Sequence, residues 1–273
     1  MNAALNTIIA AGDDARRDLF LTTARRMGTA VQNVEKDFWV CWILDALFNG
    51  LADDGPRLLF KGGTSLSKAF GLISRFSEDI DVTVFREDLG AGATVEELDA
   101  LSGNKRRARL DAIKATCQAY VNSALLEELG GLIGDTMRAA NVAAGRFRLE
   151  PDPDDPDRQS LLFWYPSVIA QPGDYIRSAV KIESGAKSAL DPHALATVKP
   201  YVDDELPDLD LSVPNVTTVA AGRTFWDKVI IIHGLRSWHD RRGELRHGGQ
   251  RVSRHHYAVF RLLQAKDANA WLE

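Results

Sequence analysis

Residues 60 to 85, FKGGTSLSKAFGLISRFSEDIDVTVF, leave the backbone few courses. An apolar strand end at Phe60 runs into Gly62-Gly63, and the hydroxyls of Thr64 and Ser65 follow. Leu66, Ala69, Phe70 and Ile73 recur at helical intervals, and Asp79-Ile80-Asp81 opens a β-branched run. The predicted order is strand, tight turn, short helix, strand, with Ser67 and Lys68 on the solvent side of the helix. Side chains alternate along a strand, so Asp79 and Asp81 share one face while Ile80 turns to the core.

Two carboxylates held this close repel each other. A divalent cation with oxygen ligands, Mg2+ or Mn2+, relieves the repulsion and binds the phosphates of a nucleoside triphosphate at the same time. Asp79 and Asp81 are therefore the candidate metal ligands. Lys61, Gly62, Gly63, Thr64 and Ser65 are the candidate nucleotide-binding residues: the glycines let backbone approach phosphate oxygens, and the hydroxyls stand where the helix begins. A lone Asp-x-Asp also occurs on solvated strand ends and in glycosyltransferases that hold a nucleotide sugar through a metal. The glycine turn and helix ahead of the pair favour the triphosphate, and the 78 residues before Asp79 are short for a nucleotide-sugar domain.

A third acid is expected on a neighbouring strand, predicted at 176–183 (IRSAVKIE). Lys181 and Glu183 share one face there, offering a cation for phosphate and an acid for metal or for the attacking hydroxyl; a plain salt bridge would look the same. Further strands are predicted at 57–60, 79–85 and 160–165, and helices at 14–28, 34–51, 104–129, 222–238 and 253–266. The glycines at 130–134 are expected to break the long central helix. The second helix carries Phe38, Trp39, Cys41, Trp42, Leu44, Leu47 and Phe48 on more than one face, which implies deep burial.

The chain has 273 residues, 45% of them hydrophobic, enough for a large buried core. It has no apolar run near the roughly 20 residues that cross a bilayer, and its first residues lack the order of a secretory signal, so a cytoplasmic location and no membrane partner are expected. Cys41 and Cys117 lie far from any CxxC or His partner and read as packed thiols. The net charge of −5 argues against a general nucleic-acid coat. Charge is nonetheless uneven: 150–157 is the acidic run EPDPDDPD, whereas 236–261 holds seven arginines and four histidines against Asp240 and Glu244. Arg241, Arg242, Arg246, Arg251 and Arg254 are candidate RNA contacts, with an acidic protein partner or a solvated basic face as the alternatives.

Five segments occur together and in order: VEKDFWVCWIL (34–44), FKGGTSLSKAF (60–70), RFSEDIDV (75–82), VKIESGAKS (180–188) and RTFWDKVIIIHGL (223–235). In this combination the chain resembles the AbiEii/AbiGii nucleotidyltransferase toxins of toxin–antitoxin and abortive-infection systems. The resemblance implies an α+β fold, a minimal nucleotidyltransferase core of the DNA polymerase β-like kind with a mixed sheet. N-terminal helices and core would occupy 1–215 and a C-terminal helical part 216–273. It implies a metal-dependent transfer of NMP from an NTP to RNA, with a tRNA 3′ end as the expected acceptor, and a cognate antitoxin as partner. A weakened nucleotide-binding module, or transfer to a protein or small molecule, remains as the alternative. It also implies a catalytic Lys228, with Arg223 a weaker candidate, and regulatory phosphorylation at Ser77. Where relatives carry Arg-His-x-Tyr-Asp, this chain has Arg254-His255-His256-Tyr257-Ala258, so an expected aspartate is missing, by natural loss or by an inactivating substitution.

Overall fold

The computed structural model describes residues 1–74, 76–77, 79–169, 177–187, 190–245, 252–266 and 268. Helices α1 (Ala3–Ala10), α2 (Asp13–Met27) and α3 (Val31–Asn49) come first. Every residue of α3 from Val34 to Leu47 is buried, which is what an apolar pattern covering more than one face requires. Trp39 is the centre of this core: its ring meets Phe38, Trp42 and Phe163 edge-on and stacks on Tyr165.

A helix buried on all sides must find partners for its polar side chains, and those of α3 each fasten a different segment. Glu35 accepts from Ser167 Oγ at 2.6 Å and from Val168 N at 2.7 Å. Asp45 accepts from Asn2 N at 2.6 Å and Asn49 Nδ2 at 3.1 Å. Asp37 accepts from Tyr201 N at 2.7 Å and from Lys68 Nζ at 2.7 Å. Lys68 thus corrects the expectation of a solvent-facing lysine: its side chain is 5% exposed and its ammonium lies 4.2 Å over the Tyr201 ring. Burial alone would have kept a lysine out, and the buried carboxylate of α3 brings it in.

The chain continues through β1 (Leu58–Lys61), α4 (Gly62–Lys68), β2 (Asp79–Val84), α5 (Val95–Asp99) and α6 (Gly103–Tyr120). A π-helical turn, Val121–Leu125, then leads into α7 (Leu126–Ala139). The glycines at 130–134 do not break this helix. Leu129, Ile133 and Met137 bury one stripe of α7 against the core, while a Cβ at Gly131 or Gly134 would meet nothing within 4 Å. Tertiary packing outweighs the local helix penalty of glycine, about 1 kcal/mol each.

Five more strands follow: β3 (Arg148–Pro151), β4 (Ser160–Trp164), β5 (Ala179–Gly185), β6 (His193–Val198) and β7 (Val213–Val219). The seven strands form one mixed sheet in the order β3-β4-β5-β2-β1-β7-β6. β2 runs parallel to β5 and antiparallel to β1, and β1 runs parallel to β7. The protein is thus α+β, as expected. The division expected at 215 falls inside β7, which pairs with both β1 and β6. Helices α8 (Ala221–Arg242) and α9 (Val252–Leu263) come after it and share an apolar cluster of Phe225, Ala258 and Leu262 with Leu66 and Ile73. Cys41 and Cys117 are buried free thiols. No helix among the described residues is long and apolar enough to cross a membrane.

Removing one partner of a buried ion pair strands the other charge. Lys68→Met is expected to lower stability by about 3–5 kcal/mol in urea unfolding. Adding Asp37→Asn, which keeps an acceptor for Tyr201 N, should restore part of that loss; a double variant no more stable than Lys68→Met would show that the stranded charge is not the cause.

Candidate active site

The central strands carry the site. Along β2, Ile80 is fully buried in the core, and Asp79 and Asp81 lie on the other face. In the parallel β2–β5 pairing, Asp79 stands beside Lys181 and Asp81 beside Glu183, so three carboxylates and one ammonium share a face one strand spacing apart, about 4.8 Å. On the other side of β2, Lys61 is opposite Asp81 in the antiparallel register.

Gly62 has a different reason to be glycine from the one the sequence suggested. Its φ is +83°, and a Cβ there would lie 2.0 Å from Asp81 Oδ2. The position is required by the close approach of the Asp81 carboxylate and by the left-handed backbone. The expected hydroxyl contacts to phosphate are likewise redirected. Thr64 and Ser65 are fully buried; Thr64 Oγ1 donates to the backbone carbonyl of Asp79 and lies 2.8 Å from Ser77 Oγ, and Ser65 Oγ donates to Gly62 O at 3.0 Å. These hydroxyls fasten the turn to the aspartate strand, and Gly63 is the member of the turn that lines the cleft.

That cleft, about 590 Å³, lies between the strand face and the two C-terminal helices. Asp79, Asp81, Glu183, Gly63 and Ser77 form one wall, and Lys228 of α8 with Arg254, His255, Tyr257 and Ala258 of α9 form the other. Burial first, and then the charge of Glu183, pushes the Asp81 carboxyl up to about 6, while Lys61 and Lys228 pull against that rise. Burial also holds the Lys228 ammonium below its usual value, against the attraction of Asp81. Lys228 is therefore a residue of the cleft.

The remaining sequence candidates separate in space. The Lys181 ammonium bonds Glu183 Oε1 at 2.9 Å and Asp152 Oδ2 at 3.1 Å and is not among the residues lining the cleft. Arg223 lines a different groove, beside Phe70, Leu195 and Trp226, and pairs with Asp227 at 3.3 Å. Arg241 donates to Ser237 O at 3.0 Å, and the Arg242 guanidinium sits 4.3 Å over the Trp238 ring. Both are at the exposed end of α8 and, unlike Arg254, are not among the residues lining the cleft. Arg246 and Arg251 lie outside the described residues. Sequence reading grouped Arg254 with the basic tail and did not see Asp152 as a partner; the Arg-His-His-Tyr run carried a signal for the first, and nothing local marked the second.

No three His, Cys, Asp or Glu side chains among the described residues are arranged to hold a metal ion. The donor set still suits Mg2+ or Mn2+ in kind. Such ions are bound through one or two carboxylates, with phosphate oxygens and water completing the shell, and Asp79 and Asp81 supply those carboxylates beside a third.

The raised pKa of Asp81 sets the sign of a pH effect. Folding favours its protonated form, so the stability it contributes is present at low pH and is lost as pH rises through about 6. Asp81→Asn is expected to stabilise the protein in EDTA at pH 7.5 by about 1–3 kcal/mol, with the gain shrinking toward pH 5. Thermal unfolding at both pH values checks this, and a destabilised variant at pH 7.5 would contradict it.

Among curated proteins no significant match is found. Among solved structures the chain is similar to MenT4, nucleotidyltransferase toxin Rv2826c from Mycobacterium tuberculosis H37Rv, at 17% identity and a TM-score of 0.41, over 78% of this chain and 58% of that one. The chain therefore spans little more than half the length of that relative. The sequence model described as nucleotidyl transferase AbiEii toxin, type IV TA system, matches residues 43–270, a stretch that takes in both walls of the cleft. The chain belongs to the AbiEii nucleotidyltransferase toxin family.

Proposed function

We propose that the protein transfers a nucleoside monophosphate from an NTP to an RNA acceptor, with a tRNA 3′ end as the acceptor, and that blocked translation is the toxic outcome. The observation that carries this reading is the pair of opposed walls: Asp79, Asp81 and Glu183 on the sheet face Lys228 and Arg254 on the helices across one cleft. A carboxylate wall alone would repel a triphosphate, and a cationic wall alone would bind it without holding a metal.

Asp79 and Asp81 would hold Mg2+ or Mn2+, which when bound neutralises phosphate charge. Lys228 and Arg254 face the same space and stabilise the negative charge that gathers on the departing pyrophosphate. The acceptor hydroxyl attacks the α-phosphorus, the bond to the β-phosphate oxygen breaks, and Glu183 is placed to take the hydroxyl proton. The exposed arginines at the end of α8 offer contacts for RNA phosphates, an interaction that weakens with added salt. The buried Ala258 packs with Phe225 and Leu262 while touching the cleft, so an aspartate there would bring a further carboxylate to the helical wall.

Ser77 lines the cleft beside Asp79. A phosphate on it would add about −1.5 to −2 of charge next to the carboxylates, and we propose this as the route by which an antitoxin with kinase activity silences the site. Incubation with the cognate antitoxin and ATP, followed by mass analysis, should place phosphate on the peptide bearing Ser77 and abolish transfer; phosphate elsewhere, or full activity with Ser77 modified, contradicts the idea.

The test of the main reading is incubation with total tRNA, Mg2+ and each labelled NTP in turn, beside an Asp79→Ala/Asp81→Ala protein. Label on RNA that the double variant loses is the expected result, and Ala258→Asp should increase it. Absence of label with all four nucleotides, in both the parent and Ala258→Asp, would favour a nucleotide-binding module or a different acceptor.

A further inference from the structure

The acidic run 150–157 has no part in the reading above, yet one of its acids is not on the surface. Asp152 lies in the turn between β3 and β4 with its side chain 5% exposed, and its Oδ2 is 3.1 Å from Lys181 Nζ. The same ammonium is 2.9 Å from Glu183 Oε1. A line of alternating charge, Asp152, Lys181, Glu183, therefore ends in the cleft beside Asp81. The turn is built to hold its acid still. Asp152 N donates to Ser160 O at 2.9 Å, and Asp152 Oδ1 accepts from Asp154 N at 3.0 Å. Asp155 accepts from the backbone N of Asp157 and of Gln159, each at 2.9 Å, and Lys114 and Gln118 of α6 bond Asp157 from outside.

We propose that Asp152 is a positioning residue of the nucleotidyl-transfer site: it draws Lys181 to one side so that Glu183 keeps its charge directed at the cleft. The proposal rests on the reading of that cleft given above. A lysine between two carboxylates divides its three N–H donors. With only Glu183 as partner, it turns wholly onto that carboxylate and cancels the negative charge that Glu183 lends to a cation held by Asp79 and Asp81. Asp152 touches no substrate and acts only through Lys181, as partners behind a metal site orient the groups in front of them.

Titration of Mn2+ into the full-length protein, with free Mn2+ read by electron paramagnetic resonance, tests this without any acceptor or nucleotide. Asp152→Asn should weaken Mn2+ binding on the order of tenfold. Asp154→Asn, on the same turn but 72% exposed, should leave it unchanged. Asp152→Ser keeps a short acceptor for Asp154 N without the charge and should repeat the result if the asparagine protein folds poorly. In a Lys181→Met background, Asp152→Asn should have no further effect. The proposal is overturned if both Asp152 variants bind Mn2+ as the parent does, or if the loss persists undiminished in the Lys181→Met background. Failure of the underlying reading looks different: Asp79→Ala/Asp81→Ala would then bind Mn2+ as well as the parent.

Discussion

The ion pair between Lys68 and Asp37 joins the two halves of this protein's design. Asp37 lies in the buried stretch of α3, and Lys68 is the last residue of the helix that starts at Gly62. Through this pair the fully buried helix fixes the end of the segment whose beginning makes room for Asp81. Desolvating two charges is costly, and their attraction roughly offsets that cost; the pair serves less as a source of stability than as a constraint on where α4 can lie. Thr64 completes the constraint by bonding the backbone of Asp79, so turn, helix and aspartate strand are tied together.

That rigidity is what lets the protein hold carboxylates where they repel. Asp81 is half-buried, next to Glu183, and with a carboxyl raised to about 6. An isolated strand would splay such groups apart or keep them protonated. Here the parallel β2–β5 register sets their separation, and cations around them limit the repulsion: Lys61 from β1, Lys228 from α8 and, behind Glu183, Lys181. The cost of holding these acids together is local to the site, in line with the general tension between stability and activity at such sites.

The legible parts of the fold were those whose signal is local. The alternation in Asp79-Ile80-Asp81 put both acids on one face, and the tryptophan-rich stretch 38–48 announced a buried helix; both match the structure. What the sequence concealed follows a pattern too. β6, HALATV, is an edge strand with four of its six residues exposed and lacks the apolar alternation of a half-buried strand. β7 contains Pro214 and Asn215, the latter at φ +60°, and reads as a boundary although it pairs on both sides. α7 runs through its glycines because one face is buried.

The sequence by itself determined which residue types could do the chemistry: two acids at a spacing of two, a third acid with its lysine, and a diglycine turn. Family membership was readable from the order of five segments, because each preserves a local pattern in a short stretch. Tertiary structure alone decided the roles of the charged and polar groups. Lys68 became a buried tether, Lys181 a partner of Glu183 and Asp152, Arg254 a wall of the cleft, and Thr64 and Ser65 internal fasteners. The reason is physical: the energy of a charge depends on its burial and on neighbours brought from distant parts of the chain, and neither quantity is written in the residues on either side of it.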